Sequence, residues 1–539
     1  MGSIKYRSLV DYGQILAGQR EGINLGLDGS IFVRKELTEG TFITPRIGTQ
    51  GDSVGATGSS IDISAGTDDS IDIAVNGGAV VTATVSVAGL NTGALIEAAL
   101  EAAINAALAA DGQDGRVWVN FDAGAPDQYT VTSQSTGLTS SVVITDAASD
   151  NVADDLGLGV ANAGTETAGT DDQDFLLYTT GGPTFAQPVE SNSHRSGRFH
   201  SGVVKKKKVV EFDIDAMVNF SGAAGDSLDT AIRVLLEQTY GNETVVPGVS
   251  IDYTQGLPNF SFSLARVSTI FGEYYNGCYA KDYTLSIPGD DAATQKWTGM
   301  GRTASIAGLA QVDGAVVASD TVTVNSAPYN QAERYTVGAR VMLVGTDGRT
   351  ITDGGDGSLT VLATDLSLFT VQLSSVVDMD DNSYIVPWHP GAVQQTGRDN
   401  IQTDLEGSIK LNPTSPAICA TSMTYSYGND HVDLNNCFGQ DSNVGFAAGQ
   451  RVTATLEVTA DLSGENIGDL IQARKFGGFN PTIIIGDTAG RHRELKFAKW
   501  IVDVPTIDLP ENGTTPVTFS GTLYQSEPGA RDPITDKFK

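Results

Sequence analysis

The chain is 539 residues long, enough for three or four domains, and its hydrophobic fraction of 40% can fill sizeable cores. Acidic residues number 65 against 33 basic ones, so the formal net charge is −32. Such a charge argues against tight binding to a nucleic-acid backbone, which needs a cationic surface, and suits solubility or a surface that repels DNA.

The N-terminal sequence MGSIKYRSLVDYGQ has no apolar core of the kind found in signal peptides. No run reaches the roughly 18 apolar residues expected of a membrane span. The three cysteines, Cys278, Cys419 and Cys437, are too few and too scattered for a disulfide framework. Cys419 and Cys437 would pair only if a hairpin aligned them. We expect a cytosolic product with reduced thiols and no membrane partner.

Residues 1–50 are predicted to form an extended arm and the first hairpin of a β domain. The hairpin lies in SIFVRKELTEGTFITPR, where two β-rich runs flank the turn at Thr38–Gly40.

Residues 51–174 are a predicted α+β insert, because lysine is absent from them and Ala, Gly, Thr, Ser and Asp dominate. SIDIAVNG and VVTATVSV alternate like strands, and RVWVNFD, QYTVTSQSTG and SSVVITD are predicted to form a β-meander. Between them lies a predicted helix with Thr92 as its N-cap and Asp111–Gly112 at its end. Its apolar face comprises Leu95, Ile96, Ala99, Leu100, Ala103, Ile104, Ala107 and Leu108, and Glu97, Glu101 and Asn105 lie off that face.

Residues 175–309 are predicted to continue the first β domain. The strand that begins at Val209 is apolar at alternate positions, and Glu211, Asp213 and Asp215 lie between them on the other face. A short helix and the strands NFSFSLARV, EYYNGCYAKDYTLSIPG and QKWTGMG follow.

Residues 310–395 are a predicted second insert, small, all-β and barrel-like. TVTVNS, YTVGARVMLVGTDG, SLTVLATD and LFTVQLSS are short strands with glycine-rich turns. Residues 396–539 are predicted to be a second β domain.

The second β domain repeats the first, which indicates a divergent internal duplication. YAKDYTLSIPG from Tyr279 matches FAKWIVDVPTIDLP from Phe497, and QKWTGMG matches VTFSGTL. Val210, Phe212, Ile214 and Ala216 match Val452, Ala454, Leu456 and Val458. This alignment makes Thr453, Thr455 and Glu457 the counterparts of Glu211, Asp213 and Asp215.

The duplicated unit resembles the major tail tube protein of long-tailed bacteriophages. The resemblance rests on EGTFITPR, on NFSFSLARV leading to YYNGCYAKDYTLSIPG, and on GQRVTATLEV with its closing VTFSGTL. It implies a mainly β fold with two tail-tube-type β-sandwich domains, each with a short flanking helix, plus the α+β insert and the barrel-like insert.

In that family six domains make a ring around a continuous inner barrel, and rings stack into a tube. The resemblance therefore implies a non-enzymatic virion protein without cofactors, three chains of which form a pseudo-hexameric ring. Genomic DNA would pass through the tube without specific binding. The other implied partners are the tape measure, the tail terminator and the baseplate or tip proteins. The implied location is the virion tail, with synthesis in the host cytoplasm.

Two groups of residues are candidates for the surfaces of such a tube. Glu211, Asp213, Asp215, Thr453, Thr455 and Glu457 are predicted to line the channel, where like charge keeps DNA from adhering. An outer strand would also be polar, so an outward orientation stays open. Lys205, Lys206, Lys207 and Lys208 are a candidate contact to an acidic neighbouring subunit, and a DNA-touching patch or a solvated strand entry stays open.

The insert at 51–174 resembles the outward-facing insert domains of bacterial flagellins and hook-associated proteins. The shared order is two strands, an Ala-rich helix, YTVTSQSTGLTSSVVITD and LGLG. The resemblance implies a decoration that is dispensable for polymerisation, and any small α+β insert is the alternative. A flagellin-like or other surface-filament subunit is the first alternative function, although flagellins need long heptad-patterned helices at both termini.

Little in the sequence points to catalysis. Cys278 in YNGCYA lacks an evident base and is predicted to be a buried strand residue. DMDDNSY places Asp378, Asp380 and Asn382 at alternate positions, as a calcium loop does, but the glycine and glutamate of such a loop are replaced, so we predict a solvated turn. A carbohydrate-binding or hydrolytic module, the second alternative, needs clustered aromatic residues or paired carboxylates.

Overall fold

In the computed structural model the chain is mainly β with several sheets, which confirms the predicted fold class. The structure describes residues 30–36, 50–56, 62–64, 70–86, 88–111, 113, 117–122, 127–136, 141–147, 152–168, 175–176, 180–186, 189–191, 195–196, 199–200, 203–205, 209–218, 220, 228–258, 260–268, 270–289, 291–327, 330–346, 350–351, 358–388, 407–413, 417–418, 420–433, 446–447, 452–461, 468, 471, 475, 478–486, 490–503, 505–507, 515–525 and 534–539.

The elements are numbered in chain order. Strands β1–β14 are Ser30–Lys35, Gln50–Val54, Ser70–Val75, Val81–Thr84, Val117–Asp122, Gln128–Thr136, Val142–Thr145, Thr165–Thr167, Phe175–Leu176, Thr180–Ala186, Val189–Ser191, Arg195–Ser196, Phe199–His200 and Val203–Lys205. Strands β15–β28 are Val209–Met217, Gly241–Val246, Ser250–Gln255, Phe262–Val267, Gly272–Pro288, Thr294–Gly301, Thr303–Ala307, Ala310–Gln311, Val316–Thr323, Arg340–Val344, Thr350–Ile351, Leu359–Asp365, Thr370–Met379 and Tyr384–Pro387. Strands β29–β40 are Gly407–Lys410, Ala420–Asn429, Val432–Asp433, Phe446–Ala447, Val452–Asp461, Gly478–Phe479, Thr482–Ile485, Arg493–Phe497, Lys499–Val502, Thr506–Ile507, Pro516–Tyr524 and Ile534–Phe538. Helices α1–α3 are Gly93–Ala110, Val152–Asp155 and Thr230–Tyr240.

The chain divides into two compact units, each described by itself below. The first unit contains the described residues of Arg46–Gln173, which overlaps the segment 51–174 that was predicted as the α+β insert. The second contains those of Arg7–Pro45, Asp174–His389 and Gly397–Lys539.

The first unit has two sheets with α1 packed against them. Their strand orders are β4-β3-β7 and β5-β6-β2-β8. The predicted meander is therefore wrong in its last step, because β7 pairs with β3 and not with β6. Val142 and Ile144 of β7 are buried and extend the core face of β3.

Helix α1 begins as predicted, since the Thr92 side chain accepts a hydrogen bond from the N–H of Leu95. Its buried stripe is Ile96, Leu100, Ile104 and Leu108. Leu95 was also predicted to lie on this stripe, but its side chain is 48% exposed. The buried positions recur every four residues, and Leu95, one residue before the first of them, lies on a different side of the helix.

The polar residues of α1 cover an edge of the second sheet. Glu97, Glu101 and Asn105 accept hydrogen bonds from the N–H groups of Phe121, Val119 and Val117 in β5, at 3.1, 3.0 and 2.9 Å. In the described part of the chain, α1 is the one helix long and apolar enough to cross a membrane, which by itself is weak evidence for a span. Its apolar stripe belongs to the core cluster of this unit, as in a core helix.

The second unit is built around one long antiparallel path of strands, β10-β15-β20-β19-β30-β33-β39-β37-β34. Strand β19 is 17 residues long and takes part in two sheets. Its first half pairs with β18 and β21, and its second half pairs with β20 and β30.

The strand order of the first copy recurs in the second. The four strands β10-β15-β20-β19 are followed on the path by β30-β33-β39-β37, which occur in the same chain order with β37 taking the place of β19. The other sheet repeats as well, because β1-β18-β19-β21 has its counterpart in β29-β35-β36-β40.

The pairing register shows that one part of the sequence alignment is wrong by two residues. Gly299 lies opposite Phe212, and its counterpart Gly521 lies opposite Leu456. Phe212 therefore corresponds to Leu456 and not to Ala454. Apolar alternation has a period of two, so a shift of two residues leaves the sequence pattern unchanged, and only the backbone pairing fixes it.

The sequence match between YAKDYTLSIPG and FAKWIVDVPTIDLP is also out of register in the structure. Thr284 and Thr506 lie opposite Lys296 and Thr518, so TLSIP of the first copy corresponds to TIDLP of the second. The matching of YAK with FAK is wrong, because Phe497 lies in β36, which pairs in the other sheet.

The two copies share one hydrophobic core, which contains the largest buried side chains, including Trp297 and Trp500. Helix α3 packs beside the junction of the copies. Gln238 accepts a hydrogen bond from the N–H of Ala280 at 2.8 Å. Asn429 of the second copy donates one to the carbonyl of Thr239, also at 2.8 Å.

A buried ion pair joins the copies through a tyrosine. Arg493 and Asp536, both fully buried, form two hydrogen bonds of 2.9 and 2.6 Å, and the guanidinium also donates to the Tyr283 hydroxyl of the first copy at 2.8 Å. Burial alone lowers the pKa of Arg493, but the charge of Asp536 outweighs it and holds that pKa above its ordinary value.

The segment predicted as a barrel-like insert forms a seven-stranded sheet of its own. Its path is β22-β28-β24-β26-β27-β23, with β25 beside β24. The predicted strand runs TVTVNS, SLTVLATD and LFTVQLSS contribute to β23, β26 and β27.

Candidate functional surface

One face of the long sheet is polar across both copies, and we call it the hydrophilic face. It consists of the exposed or half-buried residues that alternate with core residues on β15, β20, the second half of β19, β30, β33 and β39. About half of these positions are Ser or Thr. The opposite positions, such as Ile214, Trp297, Tyr425 and Val458, are buried in the common core.

Carboxylates outnumber lysines on the hydrophilic face. The carboxylates are Glu211, Asp213, Asp215, Asp282, Glu457 and Asp461. The lysines that are exposed or half-buried on these strands are Lys296 and, at a shift of pairing register in β19, Lys281. In the part of the face that the structure describes, the field is therefore negative.

Lys296 is paired with two of these carboxylates. Its ammonium lies 2.9 Å from Asp213 and 3.8 Å from Asp215. The hydrogen bond to Asp213, with the charge of Asp215 beside it, raises the pKa of Lys296. The pair is exposed, so it orients the side chains and adds little to stability.

Threonine hydroxyls also hold carboxylates in place across neighbouring strands. Thr298 donates to Asp282 at 3.2 Å, and Thr180 donates to Asp215 at 2.8 Å. The carboxylates thus have oriented partners, and their charge is not neutralised by these contacts.

The six predicted channel residues all lie on the hydrophilic face. Glu211, Asp213, Thr453, Thr455 and Glu457 are exposed, and Asp215 is half-buried. Their pairing as equivalents is corrected by the register. Glu211, Asp213 and Asp215 correspond to Thr455, Glu457 and Thr459.

Sequence reasoning missed most of this surface because it considered one strand per copy. The neighbouring strands supply residues such as Thr284, Ser426 and Ser520, which sit at every second position. The signal was present as alternation in TYSYGN and VTFSGTL, but only the pairing puts these strands side by side.

The candidate lysine cluster falls on a long hairpin. Strands β10 and β15, β11 and β14, and β12 and β13 pair in nested order between Thr180 and Met217. Lys205 lies in β14, opposite Val189 of β11. Lys206, Lys207 and Lys208 lie outside the described residues.

The other sites considered from sequence have structural partners. Cys278 is buried. Its burial, and to a smaller extent the nearby charge of Glu36, raises the pKa of its thiol. Asp378 accepts a hydrogen bond from the N–H of Ala318, and Asp381 accepts one from that of Gly314. No cluster of three or more His, Cys, Asp or Glu side chains suited to a metal occurs in the described residues. Cys419 and Cys437 lie outside them.

Neither a protein-family model nor a curated protein matches this sequence.

Proposed function

We propose that this protein is the subunit of a self-assembling tube that conducts DNA, with three chains per ring and the hydrophilic face towards the channel. The observation that carries the proposal is the continuous polar face, with more carboxylates than lysines, on a sheet composed of the same four-strand unit twice. A channel wall for DNA must be wettable and must not hold phosphates, and carboxylates among Ser and Thr meet both conditions.

The duplicated unit supports the ring. A curved sheet with unpaired edges polymerises unless the edges are covered, and closure into a ring covers them within the assembly. Two copies per chain give a pseudo-hexamer from three chains. The sequence resemblance to phage tail tube proteins favours the same assignment, in a virion tail with tape measure, terminator and baseplate or tip proteins as partners.

Negative-stain imaging of the purified full-length protein tests this function. We expect rings or hollow tubes, and a ring mass of three chains. Six chains per ring, or monomers at all concentrations, would contradict the proposal. Solid filaments would favour the surface-filament alternative.

A further inference from the structure

The junction between the two copies is an ordinary antiparallel strand pair. The second half of β19 ends the first copy, and β30 begins the second. Thr284 lies opposite Ser426, and Leu285 lies opposite Tyr425. Each strand also pairs with its own copy on its other side, β19 with β20 and β30 with β33.

The counterparts of these two strands are edge strands of the duplicated sheet in the part of the chain that the structure describes. The counterpart of β30 is β10, because Thr184 and Pro183 pair with β15 as Ser426 and Tyr425 pair with β33. Among the described residues β10 pairs only with β15.

The counterpart of the second half of β19 is β38, which follows β37 in the chain. Ala280 and Thr284 of β19 are four residues apart, but the residues of β20 that pair with them are three residues apart, so β19 has a bulge between them. In the second copy Val502 and Thr506 are likewise four residues apart, and their partners on β39 are three residues apart, so the bulge recurs. Among the described residues β38 pairs only with β39.

We infer that β38 of one chain pairs with β10 of a second copy in the register of the internal junction, with Thr506 opposite Thr184 and Ile507 opposite Pro183. The inference rests on the proposed ring for its closure, and it adds the partner strand and the register. Both edges carry backbone groups that the pair satisfies. Because the two edges differ, the contact is head-to-tail, and it ends only when the ring closes.

Cysteine cross-linking tests the register in the full-length chain. Thr184→Cys/Thr506→Cys is made in a background with Cys419→Ser and Cys437→Ser. Opposite residues of an antiparallel pair have Cα atoms about 4.5–5.5 Å apart, within the range of a disulfide. We expect mild oxidation to give covalent dimers and trimers on non-reducing gels.

Two matched pairs control the experiment. Thr284→Cys/Ser426→Cys has the same geometry inside one chain, so it should lose both thiols and remain monomeric. Thr180→Cys/Thr506→Cys moves one partner by four residues, roughly 13 Å along β10, and should not cross-link.

The outcomes separate this inference from the proposed function. Rings or tubes in which Thr184→Cys/Thr506→Cys stays uncross-linked, while the internal pair oxidises, would overturn the register and leave the tube. Covalent trimers without tubes would support the register and contradict the tube. Cross-linking of the displaced pair as efficient as that of the matched pair would also overturn the register.

Discussion

Gly299 and Gly521 occupy equivalent positions in the two copies, and neither leaves room for a side chain. A Cβ at Gly299 would clash with the Tyr279 carbonyl and the Phe212 ring, and a Cβ at Gly521 would clash with the Ile501 carbonyl. Gly299 lies on β20 and Gly521 lies on β39, and each is paired with the strand that leads into the bulge common to both copies. A close backbone approach therefore explains why glycine occurs at this place twice.

Alanine at either glycine should destabilise the second unit. Since backbone atoms must move, we expect Gly299→Ala and Gly521→Ala each to lower the free energy of unfolding by about 1–3 kcal/mol. Gly468→Ala is the control, because nothing lies within 4 Å of an added Cβ there. Thermal unfolding followed by circular dichroism measures the effect. Midpoints equal to that of the control would refute the close approach.

The buried tyrosines of the common core predict a loss of stability at alkaline pH. Burial raises the pKa of Tyr283 to about 12 from the ordinary 10.0, although the charge of Arg493 opposes the rise. Burial also raises the pKa values of Tyr240, Tyr253 and Tyr425 well above 10.0. In the unfolded chain these groups lose their protons near pH 10, so above that pH the unfolded state binds fewer protons than the folded state.

Stability contributed by these tyrosines is thus complete below about pH 10 and is lost as the pH rises towards 12 and beyond. Tyr427→Phe provides the matched variant, since burial raises the pKa of Tyr427 and its hydroxyl has no hydrogen-bond partner among the described residues. We expect Tyr427→Phe to reduce the slope of stability against pH above pH 10 by up to about 1.4 kcal/mol per unit. Urea unfolding at several pH values measures the slope, and an unchanged slope would contradict the prediction.

At the scale of elements, charge on the hydrophilic face can be reversed without touching the core. Glu211 and Asp213 are exposed, and Asp215 is half-buried on the same face, opposite to the buried Phe212 and Ile214. Glu211→Lys/Asp213→Lys/Asp215→Lys should therefore still fold and assemble. If the face lines a channel, assembled tubes should then retain DNA, and retention should fall with salt because it rests on phosphate contacts.

Sedimentation of tubes with short duplex DNA measures this retention. The control carries the same change of charge elsewhere, at the exposed Asp313, Glu333 and Asp380 of the small β insert. Equal retention by both variants would show that total charge matters and position does not. If the protein is the proposed tail tube subunit, passage of DNA in virions that carry the Glu211, Asp213 and Asp215 substitutions should also slow, and an unchanged ejection rate would count against the channel.

Elements also show how far the sequence could predict this structure. The alternation on β15 and β33 correctly gave a polar and an apolar face, because that property depends on one strand alone. The register between copies was missed by two residues, since alternation is insensitive to such a shift. The sequence pattern correctly placed Glu97 and Glu101 off the apolar face of α1. It could not predict their hydrogen bonds with the N–H groups of β5, because these bonds join residues that are distant in the sequence.

At the scale of the whole molecule, the two units have separate cores. The core cluster of the first unit runs from Ile63 to Leu158, and that of the second contains no residue between Val33 and Leu176. No residue is shared between the clusters in the described part of the chain. Each unit therefore has the internal packing that independent folding requires.

Replacing residues 51–173 by a short Gly/Ser linker should leave folding and assembly of the second unit intact. Strand β1 would still pair with β9 and β18 on either side of it, and the cost of the changed loop is small, because closure entropy varies only with the logarithm of loop length. We expect rings or tubes of unchanged rotational order by negative-stain imaging, with mass reduced by that of the missing residues. A folded variant that stays monomeric would show that the first unit takes part in assembly. An unfolded variant would show that the separate cores depend on each other, and a repeat with a longer linker would show whether closure of the loop was the cause.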